Sequence, residues 1–485
     1  MSRAQVVVAS NRGPVSFRPA GDGSLTVSRG GGGLVSGLTS VAARLNATWV
    51  CAALSDGDRE AAATARDGRL SAGGHDTGGA DVRMLALDPV LQDRAYNGIA
   101  NRTLWFIAHH LFDTANNPVF DFAWRREWAA YVGYNDAFAA AMADEADERA
   151  RVVVQDYHLS LAADLLRRRR PDLRIGHFTH TPWASPAYFA LLPDDVARDI
   201  LFGILGADHA GFLTDRWARN FVDCCEHVLG GEVKVDRAAM QVSAAGRTTE
   251  IAVHPLGIDA AELRERAAQA DVVAREAALR ATIGDRQMIL RIDRTELSKN
   301  IVRGLASFRE LLRSYPQWRG RVVHVVFAYP SRHDLPEYRE YTAAVQRLSR
   351  EINDEFSEEG WVPLHVSVAD DYARSLAAFR LADVLVVNPI RDGMNLVAKE
   401  GPVLSERGCA LVLSREAGAS AELGDDALMV NPYDVTQTAR AMHDALSMPP
   451  AERLARSSRL AERGAAMPPA AWFARQLDAL DRVGS

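Results

Sequence analysis

The sequence predicts an α/β chain of two doubly wound domains that face each other across a cleft. Three observations carry that expectation. Short apolar runs recur along the chain without polar alternation, as in strands buried on both faces. Ala/Leu/Arg-rich amphipathic patterns separate them, the alternation that parallel sheets with crossover helices require. At 485 residues the chain is long enough for two or three domains, each with its own core.

The strand candidates, in order, are Val6–Ala9, Val152–Val154, Ile175–Phe178, Met288–Ile292, Val322–Ala328, Val384–Val387, Ala410–Leu413 and Leu428–Val430. The boundary falls after His254-Pro-Leu-Gly-Ile-Asp259, where a strand ends before the charged helices of 260–283. We therefore expect domains over 1–255 and 256–466. Met467-Pro-Pro469 breaks the pattern, and Trp472 to Val483 reads as a last amphipathic helix. That segment, 467–485, is expected to pack back on the first domain. Facing doubly wound domains would bind ligands at their strand carboxyl ends.

Composition narrows the function classes. Hydrophobic residues make up 48% and charged residues 25%, the balance of a soluble globular protein. The net charge is 56 − 63 = −7, so no basic excess points to nucleic acid or an anionic membrane. Cys51, Cys224, Cys225 and Cys409 lack zinc spacing and read as reduced core thiols of a cytoplasmic protein. The N-terminus runs straight into a strand without a signal-peptide layout, and no apolar run approaches a membrane span. Homo-oligomerisation is left open.

The most informative stretch is Asn388-Pro-Ile-Arg-Asp-Gly-Met-Asn-Leu-Val-Ala-Lys-Glu400. An apolar strand leads into a tight turn, and the backbone of Gly393, Met394, Asn395 and Leu396 opens a helix. A helix N-terminus beside a strand end offers N–H groups to a phosphate or a sugar hydroxyl. Asp392 can accept from sugar hydroxyls, and Glu400, about two turns along, from a diol such as a ribose. The same layout serves an ordinary strand–turn–helix with a capping aspartate.

Other segments place polar groups at strand ends. Ser28-Arg-Gly-Gly-Gly-Gly-Leu34 lets backbone approach a phosphate, yet matches neither a P-loop nor the dinucleotide fingerprint, and a mobile surface loop reads equally well. Arg294 and Lys299 follow the strand Met288–Ile292 and could hold a diphosphate without a metal; a solvated pair is the bland alternative. Arg332 in Tyr329-Pro-Ser-Arg332 and Arg12 in Asn11-Arg12 add cations at strand ends. Asp156 and His180 each follow a strand in the first half, where caps and turn residues are also common. Tyr96 and Trp105 suit sugar stacking or a core equally.

Taken together, these segments resemble trehalose-6-phosphate synthases, retaining glycosyltransferases with two Rossmann-like domains of the GT-B type. The resemblance runs from Ser10 to about Asp434 and is most specific over Arg391–Glu400. Gln155-Asp-Tyr-His, His180-Thr-Pro-Trp, Arg294…Ser298-Lys299, Ser331-Arg332 and Asn431-Pro-Tyr-Asp434 support it. It implies transfer of glucose from a nucleoside diphosphate to glucose 6-phosphate, with retention and without a cofactor or metal. Gly32 and Gly33 would contact the donor phosphate, and Arg294 and Lys299 would grip the diphosphate. Asp392 and the backbone of Gly393, Met394, Asn395 and Leu396 would hold the glucose, His180 its far hydroxyl and Glu400 the ribose. Arg12, Tyr96, Trp105 and Arg332 would surround glucose 6-phosphate, with Asp156 orienting its hydroxyls.

The chain departs from the family pattern in places. Ala52 stands where a second tryptophan is usual, and Gln155 where a histidine is. The segment implied to read the base ends in Asp370-Asp371. Either carboxylate could accept the N1–H and N2 amino donors of guanine, which favours GDP-glucose over UDP-glucose; both also suit a helix cap. The Ala52 region and Trp183 resemble validoxylamine phosphate synthases, which couple cyclitols. A pseudo-glycosyltransferase is thus the nearest alternative, and a non-catalytic sugar-phosphate sensor the alternative of another class.

Overall fold

The computed structural model describes residues 3–21, 24–29, 47–332 and 334–482. The chain divides into two units, Met1–Leu256 with Pro469–Ser485, and Gly257–Pro468. Among the described residues no helix is long and apolar enough to cross a membrane.

The first unit is built on nine strands: β1 Ala4–Ala9, β4 Thr48–Ala52, β5 Asp81–Leu85, β6 Ala146–Gln155, β7 Arg174–Thr179, β8 His209–Phe212, β9 Val233–Asp236, β10 Gln241–Ala244 and β11 Arg247–Val253. Their order is β5-β4-β1-β6-β7-β8-β11-β10-β9. The pairs from β5 to β11 are parallel, and β11-β10-β9 is an antiparallel meander. A separate hairpin joins β2 Val15–Pro19 to β3 Leu25–Arg29. Asp58 Oδ1 pins it by accepting from Phe17 N at 2.7 Å. The parallel strands are Val-rich and buried because helices cover both faces, whereas β9 alternates inward and outward along the edge.

The helix Pro469–Arg482 closes one face of this sheet. Trp472 is fully buried; its Nε1 donates to His254 O at 3.0 Å and its ring meets Phe178 edge-on at 4.7 Å. Asp481 pairs with Arg151 at 3.0 Å and Arg174 at 2.9 Å, tying the last turn to β6 and β7.

The second unit holds six parallel strands: β12 Gln287–Arg294, β13 Val322–Tyr329, β14 Leu364–Ser367, β15 Val384–Val387, β16 Ala410–Ser414 and β17 Leu428–Val430. Their order is β14-β13-β12-β15-β16-β17, the doubly wound arrangement that reverses direction between its first and fourth strands. That reversal point lies between β12 and β15. In the first unit the corresponding place lies between β1 and β6. All eight expected apolar runs are strands. The runs passed over, which include β4, β5, β8, β14, the hairpin β2-β3 and the meander, carry charged, polar, aromatic or small residues that broke the apolar signal.

Candidate functional site

In the second unit the reversal point brings the Arg294–Lys299 segment to the Asp392 segment. Arg294 ends β12 and is exposed; Lys299 closes the short turn Leu297–Lys299. Lys299 Nζ forms an ion pair with Asp392 Oδ2, both side chains largely buried. Asn395 Nδ2 donates to the same oxygen at 3.0 Å, and Asn395 Oδ1 accepts from Ala398 N at 3.2 Å. The helix begins only at Val397, so Glu400 sits in its first turn rather than two turns along.

Glu400 is half-buried, and its carboxylate has no hydrogen-bonding or ion-pair partner among the described residues. Burial raises its pKa from 4.5 to about 7. A carboxylate left unpaired in such a place is available to a diol. Neighbouring Lys399 is fully buried against Glu422 at 2.5 Å, and burial lowers its pKa. Its role is therefore internal to the helix packing.

A second loop, after β16, clamps this one and was not singled out in the sequence. Asp392 N donates to Glu416 O at 3.2 Å, Gly418 N to Asp392 O at 3.0 Å and Ala419 N to Met394 O at 2.8 Å. Gly418 is required there, because a Cβ would collide with Gly393 O. The Ala-Gly-Ala run at 417–419 was the available signal.

Arg332 belongs to the second unit and is engaged. It pairs with buried Glu296 at 2.5 Å and donates to Tyr338 Oη at 2.7 Å. Tyr338 Oη in turn donates to Glu296 at 2.7 Å. Asp371 is engaged as well: Oδ1 caps the helix Tyr372–Leu381 by accepting from Arg374 N at 3.0 Å, and Oδ2 pairs with Arg275 at 2.8 Å. Asp370 is exposed. The helix-cap reading of Asp371 is therefore what the geometry displays, and the expected guanine readout loses that carboxylate.

In the first unit the reversal point gathers Arg12, Asp156 and His180. Arg12 follows β1 and is exposed, while Ser10 Oγ donates to its carbonyl at 2.8 Å. Asp156 follows β6 with φ 73°, a conformation a non-glycine residue rarely adopts. Its Oδ1 accepts from His180 N at 3.1 Å. His180 Nε2 lies 2.7 Å from Gln155 Oε1 and so carries the proton that this carbonyl accepts. Burial lowers the His180 pKa to about 4, which keeps the ring neutral at pH 7. Tyr96 stacks on His158 at 5.6 Å, and Trp105 is buried against His109 at 3.9 Å. Gly32 and Gly33, with the rest of the glycine loop, lie outside the described residues.

Two sheets of doubly wound order, each carrying charged groups at its reversal point, define a protein of two Rossmann-like units of the kind that bind nucleotide-linked ligands. The model of glycosyltransferase family 20 matches residues 4–482, and the chain belongs to that family. It is 33% identical over 476 residues to a bifunctional trehalose-6-phosphate synthase/phosphatase of Thermoproteus tenax, covering 95% of this chain and 61% of that protein. It is 32% identical to a UDP-forming alpha,alpha-trehalose-phosphate synthase of Aspergillus niger, covering 92% and 90%. An E. coli trehalose-6-phosphate structure bound with UDP-2-fluoro glucose superposes with TM-score 0.84 at 27% identity, covering 99% of each chain. The chain spans only 54–61% of the length of the first curated relatives it matches.

Proposed function

We propose that the chain transfers glucose from UDP-glucose to glucose 6-phosphate, giving α,α-trehalose 6-phosphate with retention. The observation that supports this most is the Lys299–Asp392 pair at the second unit's reversal point, with a Glu400 carboxylate that has no partner among the described residues in the adjoining helix. In this reading Lys299 and Arg294 meet the diphosphate, Asp392 and the backbone of 393–396 the glucose, and Glu400 the ribose. Arg12, Asp156, Tyr96 and Trp105 serve the acceptor, with His180 on the transferred sugar. Arg332 would add to the acceptor phosphate only by sharing its guanidinium with Glu296.

The expected preference for GDP-glucose is corrected to UDP-glucose. The Aspergillus niger relative is described as UDP-forming, the E. coli structure holds UDP-2-fluoro glucose, and Asp371 is spent on a helix cap and Arg275. The chemistry follows from the groups present. As the anomeric C–O bond to the diphosphate breaks, Arg294 and Lys299 stabilise the growing phosphate charge. The acceptor's anomeric oxygen attacks the same face, and its proton passes to the departing phosphate oxygen. No metal is needed, because the two cations do the neutralising.

Incubation with UDP-glucose and glucose 6-phosphate, without divalent metal, tests the proposal. UDP release that requires glucose 6-phosphate, with trehalose 6-phosphate as product, is expected. A dependence on a cyclitol phosphate instead, no turnover with any acceptor, or a higher kcat/KM with GDP-glucose would each overturn a stated part.

A further inference from the structure

Strand β12 carries an arginine in its centre, between Leu290 and Ile292. The Arg291 side chain has 0% exposure. Its Nη1 donates to Asn388 Oδ1 at 2.5 Å, its Nη2 donates to the carbonyl of Lys299, and it pairs with Asp293 at 2.9 Å. Asn388 follows β15 and opens the segment that carries Asp392. One guanidinium therefore touches both loops that meet at the reversal point.

The surrounding structure is arranged around it. Asn300 Nδ2 donates to Asn388 O at 2.9 Å and to Pro432 O at 2.7 Å, and Ile390 N donates to Ser298 O at 2.8 Å. The helix Ile301–Ser314 leaves space with Gly304, where a Cβ would overlap Arg291 Nη1 and crowd Asn388 Oδ1. A buried charge network of this kind gains little stability over apolar packing, so stability alone does not account for it. Among the described residues Asn388 Nδ2 and Arg291 Nε are buried without a hydrogen-bond partner, which is not the arrangement of a network optimised for stability.

We propose that Arg291 is a positioning residue of the donor site: by holding the Lys299 carbonyl and the Asn388 side chain together, it sets where the Lys299–Asp392 pair stands. The inference rests on the reading that Lys299 meets the donor diphosphate. Arg291 itself touches no substrate. Displacing it moves a cation that must match a diphosphate, and misplacement of that order costs about 10²-fold in favourable cases.

The test compares Arg291→Lys, Asn388→Ser and Gly304→Ala with wild type. Gly304→Ala pushes the guanidinium aside without removing any polar group. Val345→Ala, a cavity elsewhere in the same unit, controls for general destabilisation. The readouts are UDP affinity by calorimetry, KM for each substrate, kcat and thermal stability. We expect UDP affinity and donor kcat/KM to fall about tenfold in the three network variants, with the glucose 6-phosphate KM within about twofold and the control unchanged. Equal losses in the Val345→Ala control, or unchanged donor parameters in folded network variants, would overturn the inference. If none of the three variants folds, the network is a stability element and the positioning role is refuted. Wild-type protein that neither binds UDP nor turns over would overturn the functional reading, and this inference with it.

Discussion

Replacing Glu400 by glutamine should stabilise the unliganded protein and abolish a pH dependence of nucleotide binding. The carboxyl is half-buried and unpaired among the described residues, and burial alone raises its pKa from 4.5 to about 7. Below pH 4.5 the group is protonated in both the folded and unfolded chain, so the substitution is neutral there. Between 4.5 and 7 the folded state holds a proton that the unfolded state has released, and stability falls as pH rises. At ~1.36 kcal/mol per pH unit, the loss above pH 7 amounts to an upper bound of about 3 kcal/mol, because partial exposure screens the charge. Glu400→Gln should recover that amount at pH 8 and nothing at pH 4. Under the proposed role of Glu400 at the ribose, the ionised form is the one that binds, so wild-type affinity for UDP should fall about tenfold from pH 8 to pH 6, since about one molecule in ten then remains ionised. Denaturant unfolding at both pH values and calorimetry across the range give the two readouts. A variant no more stable than wild type at pH 8, or UDP affinity in wild type that is flat from pH 6 to 8, would refute the reasoning.

Gly418→Ala forces a Cβ onto Gly393 O, so it should cost about 1–3 kcal/mol and weaken UDP binding; a variant with unchanged melting temperature and affinity would show the clamp to be loose. Lys299→Ala should lower kcat about 10²–10³-fold and leave Asp392 without its cation; normal turnover in folded protein would remove Lys299 from the reaction. His180, with its pKa pushed down to about 4, should stay neutral from pH 5 to 9, so an imidazole NMR titration centred near 6.5 would contradict the buried environment. Trp472→Ala should destabilise the first unit by about 3–5 kcal/mol, with Trp472→Phe recovering part of it, as followed by denaturant unfolding.

The parallel strands were legible because burial on both faces selects uninterrupted Val, Ile and Leu. Arg291 shows where that reasoning failed: it lies inside the run Met288–Ile292, which reads as apolar although a fully buried guanidinium sits at its centre. Asp293 and Lys299 lie close to it in sequence, but nothing there reveals Asn388, which reaches it only once β15 has taken its place beside β12. The Asp392 segment announced itself through its dense turn and polar residues. The loop Glu416–Gly418 did not, because its work is done by backbone groups that any sequence carries. Two aspartates at 370 and 371 offered base readout and helix capping with equal force; the local Arg374 N–H takes Asp371 as a cap, and Arg275, brought in by tertiary packing, takes its other oxygen.

The helix Pro469–Arg482 comes after the whole of the second unit in the chain yet covers the sheet of the first. Translation therefore delivers the two units in an unequal state. The second unit is complete when residue 468 leaves the ribosome, whereas the first still waits with Phe178 and the small face at Gly176 open to water. The helix Pro469–Arg482 must arrive before that sheet is sealed and the His180 ring gains its neighbour Trp472 at 5.5 Å. Completion of the first unit thus waits on a segment made after the whole of the second, and a nascent chain stalled anywhere before Trp472 carries a finished second unit beside an unfinished first.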